Sequence, residues 1–430
     1  MAELPRLQSA DIKNKVVLLK VDHNVVKKGR IFDTFRIDRT IGTIFNIVER
    51  GGRLVIMSHV GRPRNKKTGE ITCDNDTSVE PIVEYLEKKL YSKIHIPQFS
   101  IDPQYGIQQI DNSFYDAIER LRSYEIGAIY MPNTRWFKGE EESGSAREKF
   151  IGGLARGVDV FINDAFGSWQ PHASTYDITK FLPSYAGYLM QEEIKNLDAV
   201  LNPQKPFLAI VAGSKYDTKI GPLKEIYKKV DNLILGGVIY NTYLCVKHNI
   251  EITGVSEEDK QLARELVEMD RVNKKILAPP FLIESDNLEK REGGYRSISI
   301  HDFKSGGKYN FVLDVDPKSF DDPEIKDAMG KAKTIFINAV MGLTPHFSDG
   351  SAACYRNIAL NKDALKLFGG GDTLQELKNL CPDIYLKGLD NPKYYLFTGG
   401  GTVLTAIEMG SPYSLSSIKA LMENSARPGS

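Results

Sequence analysis

The chain has 430 residues, 41% of them hydrophobic and 26% charged, and its 56 basic residues balance 56 acidic ones. Because the net charge is zero, nothing in the composition indicates a nucleic-acid partner or an acidic solvating tail. The four cysteines form no CxxC pair, and no run of 18 apolar residues is present, which argues against a zinc motif, a disulfide framework and a membrane partner. We predict a cytoplasmic protein with two or three domains.

Eleven short apolar runs recur along the chain, and each is followed by a glycine-rich or polar turn and a helical pattern. Apolar strands that alternate with helices are typical of parallel sheets buried on both faces. Eleven strands are too many for one ordinary open sheet, so we predict an α/β fold of two doubly wound, Rossmann-like parallel-sheet domains joined by a hinge helix. The predicted strands are residues 16–21, 53–58, 93–97, 127–131, 158–163, 207–213, 232–237, 275–280, 311–316, 334–340 and 394–401. The clearest predicted helices are residues 78–90 and 373–380.

A helical pattern marks the boundary between the two predicted domains. Apolar residues recur at spacings of three to five from Leu189 to Leu201, and Pro203 and Pro206 then end the pattern. A helix in this position suits a hinge. We predict a first domain at 1–185, a hinge helix at 186–203 and a second domain at 204–410.

Polar and basic residues follow the predicted strands of the first half. Each of them alone favours a surface role, but their shared position at strand ends favours a site for a small polyanion, since arginine presents a planar fork to phosphate and carboxylate. Asp22 is unusual in an anion site, and it could either accept a bond from a substrate hydroxyl or anchor an arginine. The candidates are Asp22, Asn24, Arg36, His59, Arg62 and Arg135.

Four glycine loops follow strands of the second half, whereas neither a Walker A loop nor a GxGxxG motif is present. For any single loop a tight turn is the commoner explanation. Four of them favour a phosphate cradle built from backbone N–H groups and helix N-termini. Lys215 and Lys219 could both face this crevice, and Asp372 could cap a helix or hold Mg²⁺ through a phosphate. A nucleotide domain beside a polyanion domain fits phosphoryl transfer.

Seven segments resemble the phosphoglycerate kinase family in order and spacing, from about Lys15 to Gly410. They are "VDHNVVKKGRIFDTFRI", "SHVGRP", "NDAFGSWQPHAST", "FLPSYAGYLM", "AGSKYDTKIG", "FGGGDT" and "TGGGT". The resemblance implies reversible phosphoryl transfer between 1,3-bisphosphoglycerate and Mg-ADP, which gives 3-phosphoglycerate and Mg-ATP after hinge-bending closure. It also implies a monomer whose C-terminal tail, residues 411–430, packs on the first domain.

By matching position, the resemblance assigns three groups of site residues. The substrate-binding residues are Asp22, Asn24, Arg36, His59, Arg62, Arg135 and His172. The nucleotide-binding residues are Gly213, Ser214, Lys215, Lys219, Gly237, Asn338, Gly342, Gly370, Gly371, Asp372 and Thr373, with Asp372 also serving the Mg²⁺ cofactor. The catalytic residues are Arg36, Lys215, Gly371 and Gly400.

Several positions depart from the family pattern. The loop that usually reads "FGTAHRAHAST" is one residue shorter here, and its arginine is missing near Gln170. Pro345 stands where the family has a glutamate that contacts ribose, Pro132 also replaces a glutamate, and His23 replaces a phenylalanine. These changes leave two alternatives open. One is a catalytically impaired protein of the same fold with a binding or regulatory role, and the other is an α/β enzyme acting on a different phosphorylated acid.

Overall fold

A computed structural model describes residues 3–214 and 219–425. The chain divides into two compact units, of which unit 1 runs up to Ile194 and resumes at Tyr413, and unit 2 is Lys195–Pro412. Of the predicted site residues, Lys215 lies outside the described residues. Within the described ranges, no helix has both the length and the apolar character needed to cross a membrane.

Unit 1 is built on a six-stranded parallel sheet. The eight strands of this unit are β1 Val16–Lys20, β2 Val26–Lys27, β3 Arg30–Ile31, β4 Arg53–Met57, β5 Ile94–His95, β6 Ala128–Tyr130, β7 Val160–Asn163 and β8 Ser184–Ala186. The sheet has the order β5-β6-β4-β1-β7-β8, while β2 and β3 form a separate antiparallel ribbon. Every residue of the central strand β1 is buried, as expected for a parallel strand covered on both faces.

Unit 2 also contains a six-stranded parallel sheet, with the order β12-β10-β9-β17-β18-β19. The strands of this unit are β9 Phe207–Gly213, β10 Asn232–Gly236, β11 Glu251–Ile252, β12 Ile276–Leu277, β13 Phe281–Ser285, β14 Tyr295–Ser299, β15 Lys308–Tyr309, β16 Phe311–Val315, β17 Thr334–Asn338, β18 Leu365–Phe368 and β19 Tyr394–Leu396. A small antiparallel sheet, β14-β13-β16, accompanies the parallel one.

Helices connect the strands. They are α1 Phe35–Asp38, α2 Ile41–Glu49, α3 Glu80–Leu90, α4 Asn112–Arg122, α5 Ser145–Gly157, α6 Tyr188–Leu201, α7 Ile220–Lys229, α8 Gly237–His248, α9 Glu257–Asn273, α10 Pro323–Lys331, α11 Asp349–Leu360, α12 Gly371–Leu380, α13 Pro382–Asp390, α14 Gly400–Glu408 and α15 Ser416–Ser425. Three of them, α8, α12 and α14, begin at a glycine just after a strand of the parallel sheet. The predicted helix at 186–203 is observed as α6, and the unit boundary falls inside it.

One predicted strand lies in a different sheet from the one expected. Residues 311–316 were expected in a parallel sheet, but the observed β16 pairs antiparallel with β13. Burial along β16 is interrupted rather than continuous, as is typical of antiparallel strands. β13 also pairs with β14, whose polar sequence "YRSIS" has no apolar run that could have revealed it.

The C-terminal segment belongs to unit 1. The backbone N–H of Ser184 donates to Asn424 Oδ1 (3.1 Å), and Asn424 Nδ2 donates to the carbonyl of Thr179 (2.6 Å). At the start of α15, the N–H of Ser417 donates to the carbonyl of Trp169 (3.2 Å). Helix α15 is therefore bonded to the loop that follows β7.

Candidate active site

The predicted anion-binding residues of unit 1 gather at one edge of its sheet. Asp22 follows β1, His59 follows β4, Arg135 follows β6, and the loop that carries His172 follows β7. These four strands are neighbours in the parallel order β6-β4-β1-β7. Since the carboxyl ends of parallel strands share one edge, side chains distant in sequence converge there.

Asp22 anchors Arg36 at this edge. Asp22 is only 6% exposed, and its Oδ2 lies 3.3 Å from Arg36 Nη1. Burial is the largest influence and would raise the pKa of the Asp22 carboxyl, but the Arg36 guanidinium, the backbone N–H of Asn24 and the other nearby basic groups together outweigh it, so the pKa lies below its ordinary value. Because the Arg36 side chain keeps 26% of its surface exposed, the guanidinium remains available to a ligand. Of the two roles considered for Asp22, the geometry favours the anchor.

Gly61 joins three of the loops at the edge. Its N–H donates to Asn24 Oδ1 (2.9 Å), and its carbonyl accepts a bond from Arg135 Nη1 (2.5 Å). Gly61 has a φ of +62°, in the left-handed region that favours glycine. Arg135 is further held by Glu141, whose Oε1 lies 3.5 Å from Arg135 Nε. The loops after β1, β4 and β6 are thus fixed to one another by hydrogen bonds.

The two histidines at the edge supply hydrogen bonds rather than positive charge. Burial lowers the pKa of His59 to about 3, so this ring is neutral at physiological pH. Its Nδ1 lies 3.5 Å from Ser168 Oγ. His172 Nε2 lies 3.0 Å from Gln170 Oε1, and burial lowers the pKa of His172 as well. The positive charge at this edge therefore comes mainly from arginine.

The structure does not bring Arg62 into this network. Arg62 is exposed on the loop after β4, and it has no hydrogen bond or ion pair with any described residue. Conversely, sequence reasoning missed Lys20, which is 1% exposed and donates from Nζ to Thr134 Oγ1 (3.3 Å). Burial lowers the pKa of Lys20 to about 8, while the nearby Glu140 opposes the shift. A lysine inside the apolar run "VVLLKV" was the signal for it.

The glycine loops of unit 2 form the wall of one pocket. The pocket has a volume of about 620 Å³ and lies at the carboxyl ends of the parallel strands of unit 2. The predicted residues that line it are Gly213, Ser214, Lys219, Gly237, Asn338, Gly342, Gly370, Gly371, Asp372, Thr373 and Gly400. Among the predicted nucleotide-side residues, only Lys215 is not placed, because it lies outside the described residues.

Two hydrogen bonds hold the Lys219 side chain in this wall. Its Nζ donates to the carbonyl of Ala212 (2.6 Å) and to Asn338 Oδ1 (2.7 Å), at the ends of β9 and β17. Burial lowers the pKa of Lys219 to about 8, and the negative charge of Asp372 partly opposes this shift. A Cβ on Gly213 would lie 2.8 Å from the same Nζ, so glycine there leaves room for the cation. The lysine is thus held beside the pocket, and its pKa of about 8 lies close to neutral pH.

The backbone of Gly400 packs closely against the backbone of Gly370 in the wall of the pocket. A Cβ on Gly400 would lie 2.2 Å from the Cα of Gly370, whose φ of +113° itself requires glycine. Gly400→Ala is therefore expected to displace the two loops and to destabilise the protein by about 1–3 kcal/mol, as overpacking typically does. Urea unfolding measures the loss of stability.

Gly401→Ala is the matched control, since no atom lies within 4 Å of a Cβ built there. Its unfolding free energy should stay within about 0.5 kcal/mol of wild type or increase, because alanine is favoured over glycine in a helix. Equal losses in both variants would show that the contact between Gly400 and Gly370 is not responsible.

Helix α12 contributes a row of pocket residues that sequence reasoning did not find. Gln375, Glu376 and Asn379 all line the pocket, and together with the predicted Asp372 they have the spacing of one helix face. The same spacing was legible in "DTLQELKN". The apolar side chains of the pocket wall include Val238, Val312, Leu313, Val340, Leu343 and Leu404.

One α/β unit has anchored arginines at the edge of its parallel sheet, and the other has a glycine-lined pocket and a partly buried lysine. These features define a kinase that acts on small anionic molecules. The family model "Phosphoglycerate kinase" matches residues 7–409. The chain belongs to the phosphoglycerate kinase family, and it is a phosphotransferase. Both the resemblance and the predicted fold class are confirmed.

Individual relatives agree over nearly the whole chain. The phosphoglycerate kinase of Wolbachia pipientis subsp. Culex pipiens (strain wPip) is 33% identical over 419 residues, covering 94% of this chain and 96% of the relative. That of Dictyoglomus turgidum is 30% identical over 411 residues, covering 94% and 95%. The solved phosphoglycerate kinase of Coxiella burnetii matches with a TM-score of 0.73 and 27% identity, covering 98% of this chain and 99% of that one.

Proposed function

We propose that this chain transfers a phosphoryl group reversibly between 1,3-bisphosphoglycerate and ADP, which gives 3-phosphoglycerate and ATP. Unit 1 takes the glycerate substrate at its arginine-bearing sheet edge, and unit 2 takes the nucleotide in its glycine-lined pocket. One observation carries the assignment of this activity to the chain. Phosphoryl transfer needs positive charge, and the chain retains Arg36, which is held by Asp22, and Lys219, which is held by Asn338.

The chemistry requires charge neutralisation rather than a general base. The nucleophile is a carboxylate in one direction and a β-phosphate in the other, and both are already anionic. The reaction therefore depends on positive charge, in-line geometry and exclusion of water. In this proposal Arg36 neutralises the phosphoryl group in flight, and Lys219 holds the nucleotide phosphates. Gly371 and Gly400 present N–H groups at the starts of α12 and α14, where helix dipoles favour anions.

Mg²⁺ belongs to the proposal as the nucleotide's counter-ion. Among the described residues, no group of three or more His, Cys, Asp or Glu could hold a metal on its own. Mg²⁺ commonly uses one or two carboxylates together with substrate phosphates, and the exposed Asp372 in the pocket wall fits that donor set. When bound, the ion supplies positive charge to the phosphates. The proposal also includes a catalytic role for Lys215, a hinge at 186–203, a monomeric state and a cytoplasmic location.

A coupled assay with 3-phosphoglycerate and Mg-ATP tests the activity directly. Sustained turnover supports the proposal. If well-folded protein binds both ligands in calorimetry but does not turn over, the impaired alternative is correct. If it turns over a different phosphorylated acid in preference to 3-phosphoglycerate, the alternative of an α/β enzyme with another substrate is correct.

The loop around Gln170 should respond to a restored arginine. Here Gln170 contacts His172 and offers no charge, so the substrate pocket has one guanidinium fewer than the family pattern. Inserting an arginine after Gln170 is expected to lower the KM for 3-phosphoglycerate about tenfold, which corresponds to one charge-assisted hydrogen bond. Steady-state kinetics at saturating Mg-ATP measures it.

An alanine inserted at the same point is the control for loop length alone, and its KM should not fall. If the arginine insertion leaves the KM unchanged while the variant stays folded, a basic group from elsewhere already fills the position, or the loop has taken another role.

A further inference from the structure

A second carboxylate lies in the nucleotide pocket of unit 2, apart from the one proposed for Mg²⁺. Among the described residues that line the pocket, Asp372 and Glu376 carry carboxylates. Glu376 lies one turn further along α12, about 6 Å toward the C-terminus of the helix. Asp372 is exposed near Lys219, whereas Glu376 is only 4% exposed. In a pocket for an anion, such a carboxylate can bind only those ligand groups that donate hydrogen bonds.

Hydroxyl groups fix the orientation of this carboxylate. Thr344 Oγ1 donates to Glu376 Oε1 (2.9 Å), and the hydroxyl of Ser351 is a second donor. Burial raises the pKa of Glu376, while these two hydroxyls act in the opposite direction. A carboxylate has about four acceptor positions, so two donors leave others for a ligand.

The position of Glu376 matches the place of a missing contact. Thr344 is the immediate neighbour of Pro345, which stands where the family pattern has its ribose-contacting glutamate. Pro345 has no side-chain hydrogen-bonding group. Since the hydroxyl of Thr344 bonds to Glu376, the Glu376 carboxylate lies close to Pro345, the position at which the family pattern has a carboxylate.

We propose that Glu376 accepts hydrogen bonds from the ribose hydroxyls of the bound nucleotide and so selects ribonucleotides over deoxyribonucleotides. The glycine-lined start of α12 and Lys219 fix the phosphates at one end of the pocket. Ribose is the next group along the nucleotide, and its two hydroxyls are neutral donors that a carboxylate can bind. The inference rests on the proposed function, because it assumes that the pocket takes a nucleotide.

Calorimetry with Mg-ADP, Mg-2′-deoxy-ADP and Mg-3′-deoxy-ADP tests the proposal without requiring turnover. Wild type should bind at least one deoxy analogue about tenfold or more weakly than ADP, since a buried acceptor then loses its donor. Glu376→Gln should weaken ADP binding by a similar factor and abolish most of the discrimination. Glu268→Gln, an exposed change on α9, is the control and should leave the ratio unchanged.

The outcomes separate this inference from the broader proposal. If ADP binds well but wild type does not distinguish it from either deoxy analogue, the role of Glu376 is wrong and the kinase assignment stands. The role is also wrong if folded Glu376→Gln weakens ADP and both analogues equally, because its effect is then structural. If no nucleotide binds at all, both the inference and the proposed nucleotide pocket fail. Thermal unfolding of each variant, compared with wild type, shows that it is folded.

Discussion

Arg36→Ala is expected to lower kcat about 10³-fold, because removing a preorganised charge that acts mainly in the transition state has effects of that size. In the free protein, Arg36 is held 3.3 Å from the buried Asp22, so its guanidinium does not need to reorganise when the phosphoryl group passes. The KM for 3-phosphoglycerate should rise as well, but less than kcat falls. Coupled-assay kinetics at saturating concentrations of both substrates separates the two parameters.

The same substitution should also destabilise the protein, by about 3 kcal/mol, since it leaves one partner of a largely buried ion pair unpaired. In wild type the pKa of Asp22 is lowered, so the stability it contributes is present above the unfolded-state pKa and is lost as pH falls through the folded-state value. Without Arg36, burial dominates and the pKa of Asp22 should rise. The difference in unfolding free energy between variant and wild type should therefore narrow as the pH falls from the raised pKa of the variant, above about 4, to the lowered pKa of wild type, below about 4.

Arg36→Lys is the matched control, because it keeps the charge but not the planar fork. It should recover part of the stability and little of the rate, since an ammonium presents no bidentate geometry. If folded Arg36→Ala retained kcat within tenfold of wild type, Arg36 would not be the group that neutralises the transferred phosphoryl.

The sequence predicted those features of the fold that depend on the local effect of a single residue type. Glycines after apolar strands predicted the starts of α8, α12 and α14, and polar residues after strands predicted that side chains converge at a sheet edge, although Arg62 does not join the others. The partners of those side chains were not predictable. Gly61 joins Asn24 to Arg135 only because parallel strands bring their loops together, and no local pattern specifies which loop atoms meet.

The other features that the sequence did not predict also depend on tertiary contacts. β14 is exposed and polar, so tertiary pairing rather than propensity makes it a strand. The pocket face of α12 was visible as a periodicity, but a helix face shows its function only when the surface that it faces is known. Burial also changes chemistry: His59 was predicted as a site residue, yet the structure makes its ring neutral at physiological pH.

Lys219 should make nucleotide affinity depend on pH in a range where few other groups titrate. Its pKa of about 8 in the free protein means that it begins to lose its proton just above neutrality. Nucleotide phosphates favour the charged form, so binding should be accompanied by proton uptake above pH 8. The affinity for Mg-ADP should therefore fall toward tenfold per pH unit between about pH 8 and 10, since each pKa unit corresponds to 1.36 kcal/mol. The phosphates do not interfere, because their second pKa is near 6.

Calorimetry at several pH values, repeated in buffers of different ionisation enthalpy, measures both the affinity and the proton uptake. Lys219→Arg keeps the charge at every accessible pH, so it should flatten the profile even if its larger head group weakens binding. Lys219→Met should weaken Mg-ADP binding about 10²-fold near pH 7, because it removes the cation and leaves Asn338 Oδ1 without its donor. A wild-type profile that is flat from pH 7 to 10, with no proton uptake, would mean that Lys219 does not contact the phosphates, and their binding would then have to depend on the glycine loops and other cations.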